Sequence, residues 1–542
     1  MVKTLALSVT MSVCQTHGTC LNYLSTGQYP REAVLRVLLV YPKYPDTFWS
    51  LRHTLSFISK KACFPPLGLL TVAAMLPSNW EKKLIDMNVT ALRDEDIKWA
   101  DYVFISAMTV QKASSEEVIA RCNRLGTKIV AGGPLFTTAY DSFNGIDCFI
   151  LGEAEVTLPQ FLRDLENGGA ERIYSSDERP QLENTPIPLW SLIDKKQYAN
   201  MNIQYSRGCP FDCEFCDIVF LNGHQPRTKT QDQVLKELDA LYDWGWRGGI
   251  FVADDNFIGN KKKLKAEILP AMAEWSEKKK YPFFFYTQAS INMADDEELM
   301  RLMANAGFSK VFIGIETPNE ASLSECNKSQ NKGRDLASSV KKMQNYGLEV
   351  QGGFIVGFDS DPLSIFRSQI NFIEKTGIVT AMVGLLNAPP GTKLYQRLKK
   401  ENRLVTDFTG DNTDCSLNFV PKMKQETLIG GYKHILQTIY APKQYYRRVS
   451  TFLKEYKPPN LRLLKRFQVS HIPAFFRVIW ILGIIDKGRR NFWWLLASTL
   501  FRRPQLLAIS FNLAVFGLHF RKVAEKIIAT PVKSSPTANS AT

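Results

Sequence analysis

Short apolar runs alternate with helical stretches over residues 35–165. The pattern predicts β-strands at 36–41, 83–86, 101–106, 128–131 and 148–151, because these segments are short and rich in Val, Ile, Leu, Phe and Tyr. It predicts a buried helix at 67–76 and an amphipathic helix at 114–125. Strands separated by helices predict a parallel, doubly wound sheet whose ligands bind beyond the carboxyl ends of the strands.

A second series of the same kind follows a polar, proline-bearing stretch at 166–200, which we interpret as a linker. Strands are predicted at 202–206, 249–253, 283–287, 311–314, 351–356 and 380–386, with helical stretches between and after them. Six βα units indicate a partial barrel over 201–415. From 416 to 542 the strand pattern disappears and a helical region with a disordered tail is predicted. The predicted fold class is therefore α/β, with a helical C-terminal domain.

The C-terminal region combines apolar runs with positive charge. The runs 478–485, 491–501 and 506–520 are each shorter than the roughly 18–20 residues that span a bilayer. From Lys443 onward there are 18 Lys and Arg residues against three acids, whereas the rest of the chain carries a net charge of about −1. Basic, aromatic helices favour peripheral contact with an anionic membrane over binding to nucleic acid. The alternative is a pair of solvated basic helices packed on the protein.

The N-terminus and the cysteine content bear on the compartment. Residues 1–34 lack a convincing signal peptide, and we expect either a disordered extension or an artefact of an upstream start codon. Ten cysteines are too sparse and irregular for a secreted disulfide framework. We therefore expect a cytoplasmic protein, in contact with the inner face of a membrane if the basic helices dock there.

The stretch SRGCPFDCEFCDI, residues 206–218, spaces Cys209, Cys213 and Cys216 as C-x3-C-x2-C. Thiolates suit iron–sulfur clusters and zinc. A structural zinc site needs a fourth ligand, but His224 has no partner histidine and Cys326 is isolated in the sequence. Zinc remains an alternative. Three thiolates on a cubane cluster leave one iron open, as a catalytic metal requires.

With Phe215 before the last cysteine and the loop placed after a first strand, this motif resembles the radical S-adenosylmethionine (SAM) superfamily. The resemblance implies that Cys209, Cys213 and Cys216 hold a [4Fe–4S] cluster whose open iron chelates SAM. An external one-electron donor of the ferredoxin or flavodoxin type then drives SAM cleavage to a 5′-deoxyadenosyl radical.

The resemblance also implies a SAM-binding rim on the barrel. Phe215 would border the adenine, Asp254 and Glu316 would place carboxylates at strand ends, with Glu316 near the ribose, and Gly353 and Gly357 would let the backbone approach the adenine. The alternatives are that Asp254 caps a turn and that the glycines only relieve packing.

A doubly wound domain before such a barrel resembles the cobalamin-binding subclass of these enzymes. Its only histidine, His53, lacks the D-x-H-x-x-G frame of a cobalt ligand, so histidine ligation is in doubt. The resemblance implies that Met108 and Gln111 lie under the corrin. It also implies that Gly132, Gly133 and Pro134 cradle the nucleotide tail. A degenerate flavodoxin-like domain without a ligand is the alternative.

The segments YPKYPDTFWS, KKACFPPLGLLTVAAMLP, SAMTVQ, AGGPLF and GEAE, with a GDN-containing stretch near the end of the barrel, resemble the hopanoid carbon-2 methylase family. This implies transfer of a methyl group to an unactivated carbon of a membrane polycyclic lipid. The same cofactors would also serve methylation or ring formation on a tetrapyrrole. A non-catalytic cobalamin- or zinc-binding protein is a third hypothesis. An RNA methylthiotransferase is disfavoured, because the N-terminal domain has no second cysteine triad.

Overall fold

The computed structural model describes residues 34–458 and 472–531. The predicted N-terminal extension, apart from Val34, and the predicted C-terminal tail lie outside the described residues.

The first sheet has six parallel strands in the order β2-β1-β3-β4-β5-β6. On β1 the side chains of Leu38 and Val40 enter one hydrophobic core and those of Val37 and Leu39 enter another, so both faces of the sheet are covered. The strands are Arg36–Tyr41 (β1), Glu81–Asp86 (β2), Tyr102–Ser106 (β3), Lys128–Gly132 (β4), Cys148–Ile150 (β5) and Ile173–Tyr174 (β6).

Helices cover both faces of this sheet, which confirms the doubly wound arrangement. The last strand, Ile173–Tyr174, lies in the stretch predicted as a linker and pairs with β5. A strand of two residues is too short to leave a periodic signal in the sequence. The helices are Arg52–Leu55, Leu67–Met75, Asp94–Trp99, Lys112–Leu125, Pro134–Ala139 and Ala154–Glu166.

The second sheet has six parallel strands in simple consecutive order, β7-β10-β11-β12-β13-β14, and forms the predicted partial barrel. Along β12 the side chains of Val311, Ile313 and Ile315 are fully buried in the core, whereas Phe312 and Gly314 alternate with them and face the barrel interior. The strands are Met201–Ile203 (β7), Gly248–Val252 (β10), Phe283–Ala289 (β11), Phe308–Glu316 (β12), Glu349–Val356 (β13) and Ala381–Leu385 (β14); Ser206–Arg207 (β8) and Arg227–Thr228 (β9) pair separately as an antiparallel ribbon.

The barrel helices alternate with the strands as predicted. They are Ile218–Asn222, Gln231–Asp243, a continuous helix over 261–278, Glu297–Ala306, Glu320–Glu325, Leu336–Asn345, Ile365–Thr376 and Lys393–Lys400.

The C-terminal region is helical, and its last described helix differs from the prediction. The apolar run 506–520 continues into a 23-residue helix, Leu507–Ala529, because Arg521 is buried against Asp486 and so does not end the helix. Among the described residues, the stretch Pro504–Ala529 is long and apolar enough to cross a membrane by length and composition, and 56% of its apolar window is buried inside the protein. The other helices are Gln425–Ile439, Pro442–Glu455, a helix over 472–485 and Arg489–Arg502.

The carboxyl edges of the two sheets adjoin. Gly410, from the segment after the last barrel helix, packs against Thr109 and Val110 in the loop that follows β3, and Asn412 lies over Gly384 of β14. Arg207, two residues before the first cysteine of the loop, reaches Glu153 and Glu155 after β5. The loops at which both sheets are expected to bind ligands therefore meet.

Candidate functional site

The three-cysteine loop follows the first strand of the barrel and is held at several backbone positions. The Cys209 N–H donates to the carbonyl oxygen of Gly223 (3.1 Å), and the Glu214 N–H donates to that of Cys326 (2.9 Å). Gly208 has a φ of +97°, and a Cβ there would lie 2.6 Å from the backbone oxygen of Gln225. This turn therefore requires glycine directly before the first cysteine.

The sulfur atoms of the loop are free thiols with amide donors beside them. Asn256 Nδ2 lies 3.9 Å from Cys209 Sγ, and Gln330 Nε2 lies 3.6 Å from Cys213 Sγ. Burial raises the pKa of the Cys216 thiol to about 12. Three free thiols with amide donors beside two of them are ligands that an iron–sulfur cluster can use.

Two neighbouring carboxylates anchor the loop from the end of β10. Asp254 accepts hydrogen bonds from the backbone N–H groups of Tyr205 (2.8 Å) and Ser206 (2.9 Å), and burial raises its pKa to about 7. Asp255 accepts from the Gly208 N–H (2.8 Å). The cofactor contact predicted for Asp254 stays a prediction, and its described contacts are those of an anchor.

Glu316 ends β12 in the left-handed region of backbone space, at φ +60°, and pairs with Lys328 (2.6 Å). Both side chains are largely buried. Lys328 interacts electrostatically with Cys213 and Cys216, and its pKa is raised by Glu316 and these thiols against the opposing effect of burial. The sequence analysis missed Lys328. The only signal available was a lysine shortly after a strand-end acid, which is too common to be diagnostic.

The remaining predicted rim residues lie at the same end of the barrel. The Phe215 ring lies 6.1 Å from that of Phe358 and 5.8 Å from Lys328 Nζ. A Cβ at Gly353 would come within 2.8 Å of the Phe312 ring, so this glycine makes room for a side chain of the protein. Gly357 has a φ of +112°, which favours glycine.

In the first domain, Met108 and Gln111 occupy one loop with different exposures. Met108 is 44% exposed at the carboxyl edge of the sheet, whereas Gln111 is fully buried. The Gln111 amide oxygen accepts from the Met108 N–H (2.8 Å), and its Nε2 donates to the Pro42 carbonyl, which joins the loops after β1 and β3. The Met108 side chain is thus exposed, and the buried Gln111 side chain holds the Met108 backbone through this hydrogen bond.

The glycine pair lies at the end of β4 and at the same edge: Gly132 is the last residue of the strand and Gly133 follows it. Gly133 has a φ of +86°, and a Cβ there would lie 2.6 Å from Ser106 Oγ; a Cβ at Gly132 would lie 2.9 Å from the Ile150 oxygen. Pro134 begins the next helix at its first turn. His53, the histidine of this domain, pairs with Asp46 (2.9 Å).

A doubly wound domain whose carboxyl edge meets that of a partial barrel with a three-cysteine loop defines the class of cobalamin-binding radical SAM enzymes. Comparison with known families agrees: the B12 binding domain matches residues 57–162, the radical SAM superfamily matches 203–368, and a domain of unknown function, DUF4070, matches 392–531.

Comparison with individual proteins shows which members of this class the chain resembles. The chain is 40% identical to an uncharacterized methyltransferase of Synechocystis sp. over 91% of this chain and 92% of the relative. It is 31% identical to the hopanoid C-2 methylase of Rhodopseudomonas palustris over 84% of this chain and 88% of the relative. The solved cobalamin-dependent SAM radical enzyme OxsB shares the fold, with a TM-score of 0.57 at 15% identity over 91% of this chain and 80% of that one. The chain belongs to the cobalamin-dependent radical SAM methyltransferases.

The cofactors of the enzyme are therefore a [4Fe–4S] cluster, SAM and cobalamin, which confirms the prediction. Membership of this family argues against two of the alternative hypotheses, the zinc site and the non-catalytic binding protein. The residues present fit a cluster, because three free thiols converge with N–H donors at two sulfur atoms.

Proposed function

We propose that the enzyme methylates an unactivated carbon of a polycyclic lipid, most specifically carbon 2 of a hopanoid. The similarity to the hopanoid C-2 methylase supports this substrate. The observation that carries the proposal is an exposed aromatic surface on the helices 472–485 and Arg489–Arg502, of the kind that binds lipid.

This lipid-facing surface consists of Phe476, Trp480, Trp494 and Phe501, which are 57–86% exposed. Large exposed apolar patches mark contacts with membranes or partners. The same helices and their connections carry Arg477, Lys487, Arg489, Arg490, Arg502 and Arg503. Aromatic rings beside positive charge match the chemistry of an anionic bilayer surface.

Around the cysteines, each predicted residue has a proposed role. Cys209, Cys213 and Cys216 hold the cluster, and Phe215 with the backbone at Gly357 borders the adenine, whereas Gly353 lies against the Phe312 ring. Lys328 binds the SAM carboxylate as a point charge, and Glu316 accepts from the ribose hydroxyls. Asp254 holds the cysteine loop in place.

At the cobalamin edge, Met108 contacts the corrin face while Gln111 fixes its loop. The Gly132–Pro134 turn offers backbone N–H groups to the nucleotide tail. When bound, the cluster passes an electron to SAM and cobalamin carries the methyl group. The protein's part is to bring the two edges together and to exclude water between them.

The reaction is tested with the anaerobically reconstituted enzyme, SAM with a deuterated methyl group, a ferredoxin- or flavodoxin-type reductant, and a hopanoid in micelles. We expect S-adenosylhomocysteine, 5′-deoxyadenosine and a lipid carrying the labelled methyl group. Cys213→Ala should abolish all three products. Deoxyadenosine without a methylated product would refute methyl transfer, whereas methylation of a tetrapyrrole and not of the lipid would replace the substrate.

Membrane contact is tested separately by sedimentation with vesicles of phosphatidylglycerol. The double variant Trp480→Glu/Trp494→Glu should lose binding, because both rings are exposed and a charge opposes their insertion. Leu363→Glu is the matched control, since Leu363 is exposed elsewhere in the chain. Equal binding of the double variant and the control would contradict peripheral docking.

A further inference from the structure

The interior of the barrel carries a set of aromatic rings from two domains. Phe251, Tyr286 and Phe312 face inward from β10, β11 and β12, and Trp49 and Phe64 reach them from the first domain. The ring centroids are 5.0 Å apart for Trp49 and Phe312, 5.3 Å for Phe64 and Phe251, and 5.3 Å for Phe251 and Tyr286. We call these five residues the aromatic chamber.

The inward-facing rings of the chamber are partly exposed, unlike the core side chains beside them. Phe251, Tyr286 and Phe312 lie on neighbouring strands of the sheet, yet each retains accessible surface, while Ile250, Phe285 and Val311 beside them are fully buried. Burial nevertheless raises the pKa of Tyr286 well above its ordinary value. The three rings therefore keep apolar surface that the neighbouring core side chains do not cover.

Trp49 is held outward from its own segment. Its neighbours Phe48 and Ser50 are buried: the Phe48 ring stacks on Phe520 (5.6 Å), and the Phe48 carbonyl lies 3.1 Å from His519 Nε2. Trp49 itself is 44% exposed. An exposed indole fixed by two buried neighbours is a preformed surface for an apolar ligand.

The segment that carries Trp49 also reaches the lipid-facing surface. Arg477, on the helix over 472–485, donates to the carbonyl oxygens of Ser56 and Phe57 (3.3 Å each) and to Ser59 Oγ (2.6 Å). Ile58 between them is 46% exposed. The single segment 48–59 therefore contacts both the aromatic chamber and the helix that carries part of the lipid-facing surface.

The chamber lies next to the cluster site. Phe251 precedes Asp254 and Asn256, which contact the cysteine loop, and Phe312 precedes Glu316 on the same strand. The Phe312 ring occupies the space above Gly353. A ligand in the chamber would thus lie toward the carboxyl edge at which the chemistry takes place.

From this arrangement we infer that the aromatic chamber binds the fused-ring hydrocarbon skeleton of the substrate, and that Trp49 positions it against Phe312. The inference rests on the proposed function and adds to it the site and the residue that recognise the rings. A fused-ring skeleton is rigid and flat, so it stacks on aromatic faces with little loss of conformational freedom, whereas a straight alkyl chain would have to be ordered.

The location is tested on the cofactor-loaded wild-type enzyme with a hopanoid that carries a photoactivatable diazirine, in phosphatidylglycerol micelles. Cross-links are expected in the peptides that contain Trp49, Phe251 or Phe312. Unlabelled hopane should compete, and a straight-chain alkane of equal carbon number should not. Cross-links confined to other peptides, or equal competition by the alkane, would overturn the inference.

The positioning role is tested by Trp49→Ala, with Trp49→Phe as the conservative variant. Trp49→Ala should raise KM for the lipid about tenfold, since a lost aromatic contact contributes on that order. The ratio of 5′-deoxyadenosine to methylated lipid should also rise about threefold, because a poorly placed substrate reacts less often per SAM cleaved. Trp49→Phe should keep both values within about twofold.

Iron and cobalamin contents are measured for each variant. If Trp49→Ala loses either cofactor, KM and the product ratio are measured on Phe312→Leu instead. Unchanged KM and product ratio in a cofactor-loaded variant would overturn the positioning role. Failure of the wild-type enzyme to methylate any lipid would instead refute the proposed function, and the cross-linking pattern distinguishes these two outcomes.

Discussion

At the residue scale, Lys328 is the side chain that the structure adds to the site. Replacing it with Met leaves Glu316, which is 6% exposed, without its counter-charge and removes the cation beside Cys213 and Cys216. We expect Lys328→Met to weaken SAM binding about tenfold while iron content is retained. Anaerobic equilibrium dialysis with labelled SAM measures this.

The matched control for that change is Lys332→Met, since Lys332 is exposed on the same segment. Lys328→Arg should recover part of the affinity, because it restores the charge but not the shape of an ammonium group. Full SAM affinity in Lys328→Met would contradict the role proposed for this residue.

Asp254 gives a pH dependence with a defined sign. Its pKa is about 7 in the folded enzyme, above the ordinary value of 3.8, because burial disfavours the charged form. The folded state therefore retains a proton that the unfolded state has released. The stabilisation is fully present below the unfolded pKa and is lost as the pH rises through about 7.

Asp254→Asn cannot show this titration. Between about pH 5.5 and pH 8, the unfolding free energy of the wild type should fall relative to that of Asp254→Asn by about 2 kcal/mol. Thermal unfolding of both proteins across this range checks the difference. A difference that does not change with pH would show that Asp254 remains ionised throughout.

At the element scale, the turn after β4 depends on a glycine. Gly133 has a φ of +86° and no room for a Cβ beside Ser106 Oγ. We expect Gly133→Ala to destabilise the first domain by about 2 kcal/mol and to lower cobalamin loading. Loading is measured from the absorption of bound cobalamin after gel filtration.

Gly68 supplies the control for this change. It lies in the helix Leu67–Met75, and a Cβ there meets nothing within 4 Å. Gly68→Ala should therefore keep cobalamin loading unchanged and raise stability by up to about 1 kcal/mol. Equal loss of cobalamin in both variants would indicate a general sensitivity to substitution and not a specific turn.

The burial of the helix Leu507–Ala529 determines how membrane contact can be tested. A deletion of 470–542 would appear from the sequence to remove only a membrane-binding region. In the structure Leu513, Phe520 and Val523 are buried in the main core, and His519 contacts the segment that carries Trp49. The deletion would remove part of this core, so surface substitutions are the sound test of membrane contact.

At the scale of the whole molecule, buried charges hold the two domains together. Arg207 pairs with Glu153 (2.8 Å) and Glu155 (2.7 Å), and Arg227 pairs with Glu153 (2.7 Å). Removing one partner of such a group leaves an uncompensated buried charge. We expect Glu155→Gln to lower the unfolding free energy by about 3 kcal/mol.

The double variant Glu155→Gln/Arg207→Gln should be less destabilised than the sum of the single changes, since the two residues are in contact. Lys487→Gln, at the exposed pair with Glu525, should change stability little. Chemical denaturation of the cofactor-loaded proteins compares them. Strict additivity would show that the domains are not coupled through this pair.

Much of this architecture could be predicted because each sheet is built from local signals. Strands buried on both faces are continuous apolar runs, and five of six strands in the first sheet and all six in the barrel were predicted within a few residues. The exception, Ile173–Tyr174, is too short to show a pattern. The three-cysteine motif could also be recognised from the sequence, because its three cysteines lie within eight consecutive residues.

By itself, then, the sequence determined the two parallel sheets, the three-cysteine motif and the basic, aromatic character of the C-terminus. Only the tertiary structure decided that Lys328 lies beside the cysteines, that Glu153 and Glu155 meet Arg207, and that the ring of Trp49 contacts that of Phe312. Strand periodicity and motif spacing act over a few residues and survive in the linear order. Contacts between residues tens or hundreds of positions apart depend on how the domains pack, and no local pattern records them.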